Sequence, residues 1–144
     1  MSVTVNDLMS PGVVVAQPDH TVEYVRRQMR TLEIHAIPVA EDDGTPIGLV
    51  QSRNLIADLD PAKPVREVME KDVLTAERGT NVRLAAKILR QNRRNHLIIT
   101  DAGAIVGILS SFDFLKLVEG VEFQDEEDAE DATFKTDVFD VPKT

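Results

Sequence analysis

Residues 107–113 read GILSSFD, and residues 48–54 read GLVQSRN. Each stretch runs glycine, two aliphatics, a short polar segment and then Asp or Asn. Each also leads into an apolar helical pattern, LIADL after Asn54 and FLKLV after Asp113. A turn written twice suggests a duplication, and sliding the chain against itself answers the question. At an offset of sixty, Val5, Met9, Val14, Val22, Met29, Ile37 and Val39 fall on Val65, Met69, Leu74, Val82, Leu89, Leu97 and Ile99. Past the polar stretches EDDGTP and TDAGA the offset drops to fifty-nine, and Gly48, Leu49, Asn54 and Leu55 match Gly107, Ile108, Asp113 and Phe114. The chain is two copies of one unit, at 5–59 and 65–118, joined by the stretch DPAKP.

Both copies give the same pattern of elements. A short apolar run, VVVA at 13–16 or DVLTA at 72–76, is a strand candidate. A capped helix follows, with Asp19 or Thr21 before Val22, Val25, Met29 and Leu32, and Thr80 or Asn81 before Val82, Ala85, Ala86 and Leu89, both at the spacing of one buried helical face. Two further runs around Gly44 or Gly103 predict a hairpin, and a short helix at 52–59 or 111–118 closes the unit. The expected fold is α/β (α+β), with the order β-α-β-β-α twice. A unit of about 55 residues has little core of its own, so the two are expected to pack sheet to sheet with pseudo-two-fold symmetry. That arrangement puts corresponding turns in related clefts. The expected organisation is a first domain at 1–60, a second at 61–118, and an acidic, flexible tail at 119–144.

The 144 residues are 42% hydrophobic, a globular composition, and include no cysteine. Disulfides, thiolate nucleophiles and thiolate metal sites are thereby excluded. There is no long uncharged apolar run and no secretory pattern, so the expected address is the cytosol. The net charge of −9 is concentrated: residues 119–144 hold ten acids against two lysines, and the rest of the chain is close to neutral. Broad binding to a phosphate backbone requires a dense basic surface, so nucleic acid is a disfavoured partner.

The openings LMSPGVVVAQPDHTV and VMEKDVLTAERGTNV, with HAIPVAEDDGTPIGLVQSRNLI and HLIITDAGAIVGILSSFDFL, resemble a tandem pair of cystathionine-beta-synthase (CBS) domains over residues 3–118. The resemblance implies binding of an adenosine-containing ligand, AMP, ADP, ATP or S-adenosylmethionine, in clefts between the units, and assembly of two pairs into a flat homodimer. The family's nucleotide pattern is glycine, two aliphatics, Thr or Ser, two variable residues, then Asp. Gly107, Ile108, Leu109, Ser110 and Asp113 satisfy it. Physically, Gly107 permits close backbone approach. Ser110, at a strand-to-helix junction, puts a hydroxyl and free N–H groups where a phosphate can meet them. Asp113 can accept hydrogen bonds from two ribose hydroxyls. The family also implies base contacts from the start of the second strand, His96 and Leu97, and from Thr75 on the first. In the first copy Gln51 and Asn54 replace the two polar positions. Gly48, Gln51, Arg53 and Asn54 therefore form an expected degenerate second site, in which the longer Gln fills the phosphate space.

Spacing alone supports a plainer reading of Ser110 and Asp113 as a helix cap and a first-turn acid. His35 and His96 have no companions at metal spacing, so no metal is expected. Arg83, Lys87, Arg90, Arg93 and Arg94 read as a solvated helix face and its end, with a phosphate contact from Arg94 as the alternative. Residues 132–144 alternate enough for a short strand or a docking peptide. No P-loop, HExxH or supported Ser-His-Asp set is present, so no enzyme is expected. The expected function is a regulatory ligand sensor. The competing one is a ligand-free adaptor that recruits a protein partner through its surface and acidic tail.

Overall fold

The computed structural model describes residues 3–10 and 12–120. The expectations for the tail at 121–144, mobile segment, strand or docking peptide, lie outside the described residues. In chain order the elements are α1 (Val5–Leu8), α2 (Val22–Leu32), β1 (Ala36–Ala40), β2 (Pro46–Gln51), β3 (Thr75–Glu77), α3 (Val82–Asn92), β4 (His96–Asp101), β5 (Ala104–Ser110) and α4 (Leu115–Val118). Single 3-10 turns occupy Ser52–Leu55, Val65–Glu67 and Ser111–Phe114. This is the mixed α/β architecture expected. Thr21 caps α2 by accepting from the Tyr24 N–H, and Asn81 caps α3 by accepting from the Arg83 N–H. Both helices end on a left-handed residue, Glu33 or Arg93, sixty positions apart.

The hairpins β1–β2 and β4–β5 form as expected, and β3 adds parallel to β4. The first copy departs here. VVVA at 13–16 is not a strand, and only Ala16 bridges to β1. Two prolines account for the difference. In the second copy the Ile98 N–H donates to the Leu74 carbonyl, and the Arg78 N–H to Thr100, on either side of the ladder. The equivalent donors in the first copy are Pro38 and Pro18, which have no N–H. Ala16 keeps its own two bonds, N–H to Pro38 O and O from the Ala40 N–H, and the ladder extends no further. The expected helix at 52–59 also stops at Leu55. The Arg26 Nη2 donates to the Leu55 carbonyl at 2.7 Å and to that of Ala57 at 3.1 Å, taking acceptors that a continuing helix would use.

The two cores are built by exchange. One contains Val3, Val5 and Leu8 with Val82, Ala85, Leu89, Leu97, Ile99 and Leu109. The other contains Val65 with Ala16, Val22, Val25, Met29, Ile37, Val39, Val50 and Leu55. Each copy's opening segment thus packs into the other copy. Backbone bonds fix the exchange, Val5 N–H to Thr80 O and Val82 N–H to Val3 O on one side, Val22 N–H to Lys63 O and Val65 N–H to His20 O on the other. The bridges Thr4–Asn81 and Thr21–Pro64 are images of each other under the repeat, as are Ser10–Ile108 and Leu49–Glu70. These pairs are the pseudo-two-fold symmetry in residue terms. Pro38, Leu49 and Ile98 are buried on sheet faces turned away from the helices. Leu49 and Ile98 line one cleft, and the Ile105 N–H donates to the Gly44 carbonyl across the units.

Candidate functional site

Ser110 ends β5, directly opposite His96 at the start of β4. Residues opposite each other on an antiparallel pair share a face. Leu97 and Ile99 point into the helix-covered core, so His96, Ile98 and Ser110 face the other unit. The chain then turns through the 3-10 segment Ser111–Phe114, and Asp113 Oδ2 accepts from the Ser110 N–H at 2.8 Å and from its hydroxyl at 3.2 Å. Lys116 Nζ lies 3.6 Å from the other oxygen, and the Asp113 side chain is only 13% exposed. The carboxylate neither points into open solvent nor lacks local work. The capping role that spacing suggested is present, and it occupies Oδ2.

The first copy answers why its turn can end in an amide. The Gln51 N–H donates to Asn54 Oδ1 at 2.7 Å, the same bond that Asp113 makes. The local turn needs one side-chain acceptor oxygen at this position, which Asp and Asn both supply. Around this turn lies a small cleft between the units, about 30 Å³ and open at its mouth, lined by Leu49, Gln51, Arg53, Glu70, Arg94 and His96 among others. Glu70 occupies its polar side. Its carboxylate accepts from Gln51 Nε2 at 2.7 Å, from Arg53 Nε at 3.2 Å, and from Arg53 Nη2 at 2.9 and 3.0 Å. Burial alone would push the Glu70 carboxyl up, but the hydrogen bonds from Arg53 and Gln51, the Arg53 charge and a smaller contribution from Asn54 hold it below its ordinary value.

The sequence-derived set is therefore divided. Ser110 and Asp113 are together. His96, half-buried, lines the cleft of Gln51 and Arg53. Its Nδ1 is buried without a hydrogen-bond partner among the described residues. Burial depresses the imidazole's affinity for a proton, with the Arg53 charge acting the same way and the Glu70 and Asp113 carboxylates opposing. Thr75 is exposed on β3 beside Ile98. Leu97 is fully buried in the core, which leaves only its main chain for any contact in a cleft. The close approach at Gly107 is made by protein: a Cβ there would collide with the sulfur of Met9, as one at Gly48 would with that of Met69. Arg94 is committed to Asp72, with Nη1 donating to its carbonyl at 2.6 Å and Nη2 to Oδ2 at 2.9 Å.

Sequence reasoning gave Glu70 and Asp72 no role. The signal was present in the repeat, where Glu70 falls on Ser10 and Asp72 on Gly12. Charges that appear at only one of two equivalent positions mark where duplicated clefts have diverged. Among the described residues no three of His, Cys, Asp or Glu come together as a metal site, and no helix is long and apolar enough to cross a membrane.

A twofold repeat of hairpin and helix with exchanged openings, and a polar cleft between the units, defines a paired-repeat module. The CBS domain family model matches residues 5–60 and 65–120, and the chain belongs to that family. The inosine-5′-monophosphate dehydrogenase of Mycobacterium bovis is 32% identical over 105 residues, which are 72% of this chain and 20% of the relative. The chain thus spans about a fifth of the length of that curated enzyme. Among solved structures, the CBS domain pair of protein MJ0100, in complex with 5′-methylthioadenosine and S-adenosyl-L-methionine, superposes with a TM-score of 0.75 at 21% identity, covering 85% of this chain and 100% of that one. CBSX2 in complex with AMP superposes with a TM-score of 0.73 at 24% identity, covering 82% of this chain and 97% of that one. At these identities the likeness to the two structures is one of fold.

Proposed function

We propose that the protein is a regulatory module that senses an adenosine-containing ligand, AMP, ADP, ATP or S-adenosylmethionine, at Ser110 and Asp113. The observation that carries this reading is the state of Asp113. Its carboxylate is largely covered and oriented by the Ser110 N–H, and Oδ1 stays outside the capping bond with Lys116 Nζ 3.6 Å away. A carboxylate oxygen held in that way is a strong acceptor for a ribose hydroxyl. The complexes of MJ0100 with S-adenosyl-L-methionine and of CBSX2 with AMP support the ligand class. A ligand bound between the units shifts their arrangement only through different affinity for two arrangements, so the response is read in the module's partner or in its assembly. The matched dehydrogenase residues are a fifth of that enzyme, and its catalysis is not carried over to this chain.

A homodimer belongs to the same reading. Exposed apolar residues recur at equivalent places in the two copies, Tyr24 with Leu84 and Ile56 with Leu115. Such repeated exposure suits a symmetric partner surface. The test is calorimetric titration with AMP, ADP, ATP and S-adenosylmethionine, on the wild type and on Asp113→Ala. Binding of at least one ligand in the wild type, weakened about tenfold or more in the variant, is expected. No heat from any of them, or equal affinity in both proteins, overturns the reading and favours a ligand-free adaptor.

A further inference from the structure

Three donors converge on Glu70, two nitrogens of the Arg53 guanidinium and the amide of Gln51. A planar guanidinium fork closed on both oxygens of a carboxylate, with a further amide bond, is the set of contacts by which a protein holds an anionic ligand group. Here the chain itself supplies the anion. The arrangement is also fixed rather than incidental. Glu70 is bridged to Leu49 by two backbone bonds, its N–H to Leu49 O at 2.8 Å and its O from the Leu49 N–H at 2.9 Å. The Arg53 side chain remains 64% exposed, while that of Glu70 is 21% exposed. The carboxylate thus sits inward of the cation. His96, with its buried and unpartnered Nδ1, lines the same cleft.

The second copy has no counterpart to this plug. The residues equivalent to Glu70, Gln51 and Arg53 are Ser10, Ser110 and Phe112. The two copies therefore differ at three equivalent positions at once, and the three residues at these positions of the first cleft bind each other. This is more specific than the loss of a motif.

We propose that the first cleft is an anion site occupied by the chain's own Glu70, an autoinhibitory carboxylate standing where the phosphate or carboxylate of a ligand would be held by Arg53 and Gln51. The wild type then takes an adenosine ligand in one cleft per chain. Removal of the Glu70 charge opens the second to phosphate-bearing compounds. The inference rests on the nucleotide reading for the identity of the natural ligand, but not for the anion site itself.

The experiment separates the two. Asp113→Ala, the double variant Asp113→Ala with Glu70→Ala, and the triple variant that adds Arg53→Ala are titrated with ADP and with inorganic pyrophosphate. Glu70→Gln is used in parallel as a variant of equal size, and thermal unfolding confirms that each protein is folded. The expected result is a gain of about tenfold or more in pyrophosphate affinity from Asp113→Ala to the double variant, lost again in the triple. Glu70→Gln gives a gain in the same direction. A pyrophosphate gain without ADP binding in any protein leaves the internal anion standing and removes the nucleotide reading. Unchanged affinity for both probes in the folded double variant and in Glu70→Gln overturns the proposal, as does a gain that survives Arg53→Ala.

Discussion

The exchange of opening segments makes a prediction that contiguous repeats cannot make. Val5, Val22 and Val65 are fully buried and Val82 is 7% exposed. Val5 and Val82 belong to one cluster, and Val65 and Val22 to the other. Val→Ala at each site deletes two buried methyl groups. At about 0.8 kcal/mol per buried carbon this is ~1.6 kcal/mol, and the residual cavity brings it to about 2–3 kcal/mol. Doubles then cost about 4–6 kcal/mol, within reach of a domain stable by about 5–15 kcal/mol. Urea unfolding of the four singles and four doubles tests the connectivity. Neighbours sharing a cavity depart from additivity by about 0.5 kcal/mol or more, whereas separate sites add to within about 0.3–0.5 kcal/mol. The crossed pairs, Val5→Ala with Val82→Ala and Val65→Ala with Val22→Ala, are expected to couple. The uncrossed pairs, Val5 with Val22 and Val65 with Val82, are expected to add. Coupling in the uncrossed pairs and additivity in the crossed ones would refute the exchange.

Two further outcomes follow from the same geometry. Gly107→Ala places a Cβ against Met9, so it is expected to destabilise by about 1–3 kcal/mol through overpacking, and Met9→Ala in the same chain should recover part of that loss in thermal unfolding. His96 has its proton affinity lowered by burial, so the unfolded chain takes up its proton first as pH falls. Its contribution to stability is intact above the ordinary value of 6.5 and is lost as pH drops below it. The groups facing or near it are Glu70, Arg53 and Asp113, with Arg94 and Asp72 in the same cleft. Glu70, held below its ordinary 4.5, loses its contribution only at lower pH still, so the two windows are separable. Unfolding midpoints between about pH 5 and 7 should slope in the wild type and flatten in His96→Gln; an equal slope in both sinks the assignment.

The duplication, both hairpins, both capped helices and the mixed α/β class were legible because each rests on local chemistry. Apolar spacing marks α2 and α3, Thr21 and Asn81 mark their starts, and the glycine-containing turns mark the hairpins. The missing strand at 13–16 was legible in principle but was not read, because the evidence lies on its neighbours. Pro38 is in β1, and its lost N–H is felt across the ladder at Val14. The exchange was not legible at all. Offset matching aligns Val5 with Val65 and says nothing about which of Val22 or Val82 each one touches, since the contact is between segments far apart in the chain. Glycine was read for the right property and the wrong neighbour: Gly107 does permit close approach, and what approaches is Met9.

The exchange also bears on how two clefts of common origin came to differ. Glu70 is in the opening segment of the second copy, but because openings are exchanged its backbone bridges to Leu49 and its side chain meets Gln51 and Arg53 of the first. A single substitution at that position, of a residue like Ser10 by Glu, alters the first cleft and leaves the turn at Ser110 and Asp113 untouched. The polar set of each cleft is thus drawn from both copies, and a motif search within one copy sees only half of it. Asn54 and Asp113 illustrate the limit. Each makes the same capping bond, so the turn itself does not distinguish them, and the charge that does distinguish them acts beyond the cap, on Lys116 in the second copy and on whatever the opposite unit or a ligand presents. In the first cleft that opposite unit already presents a carboxylate, and a second charge at position 54 would stand beside Glu70 and compete for Arg53. An amide at Asn54 keeps the capping oxygen without the repulsion, which is a physical reason for the two turns to end differently.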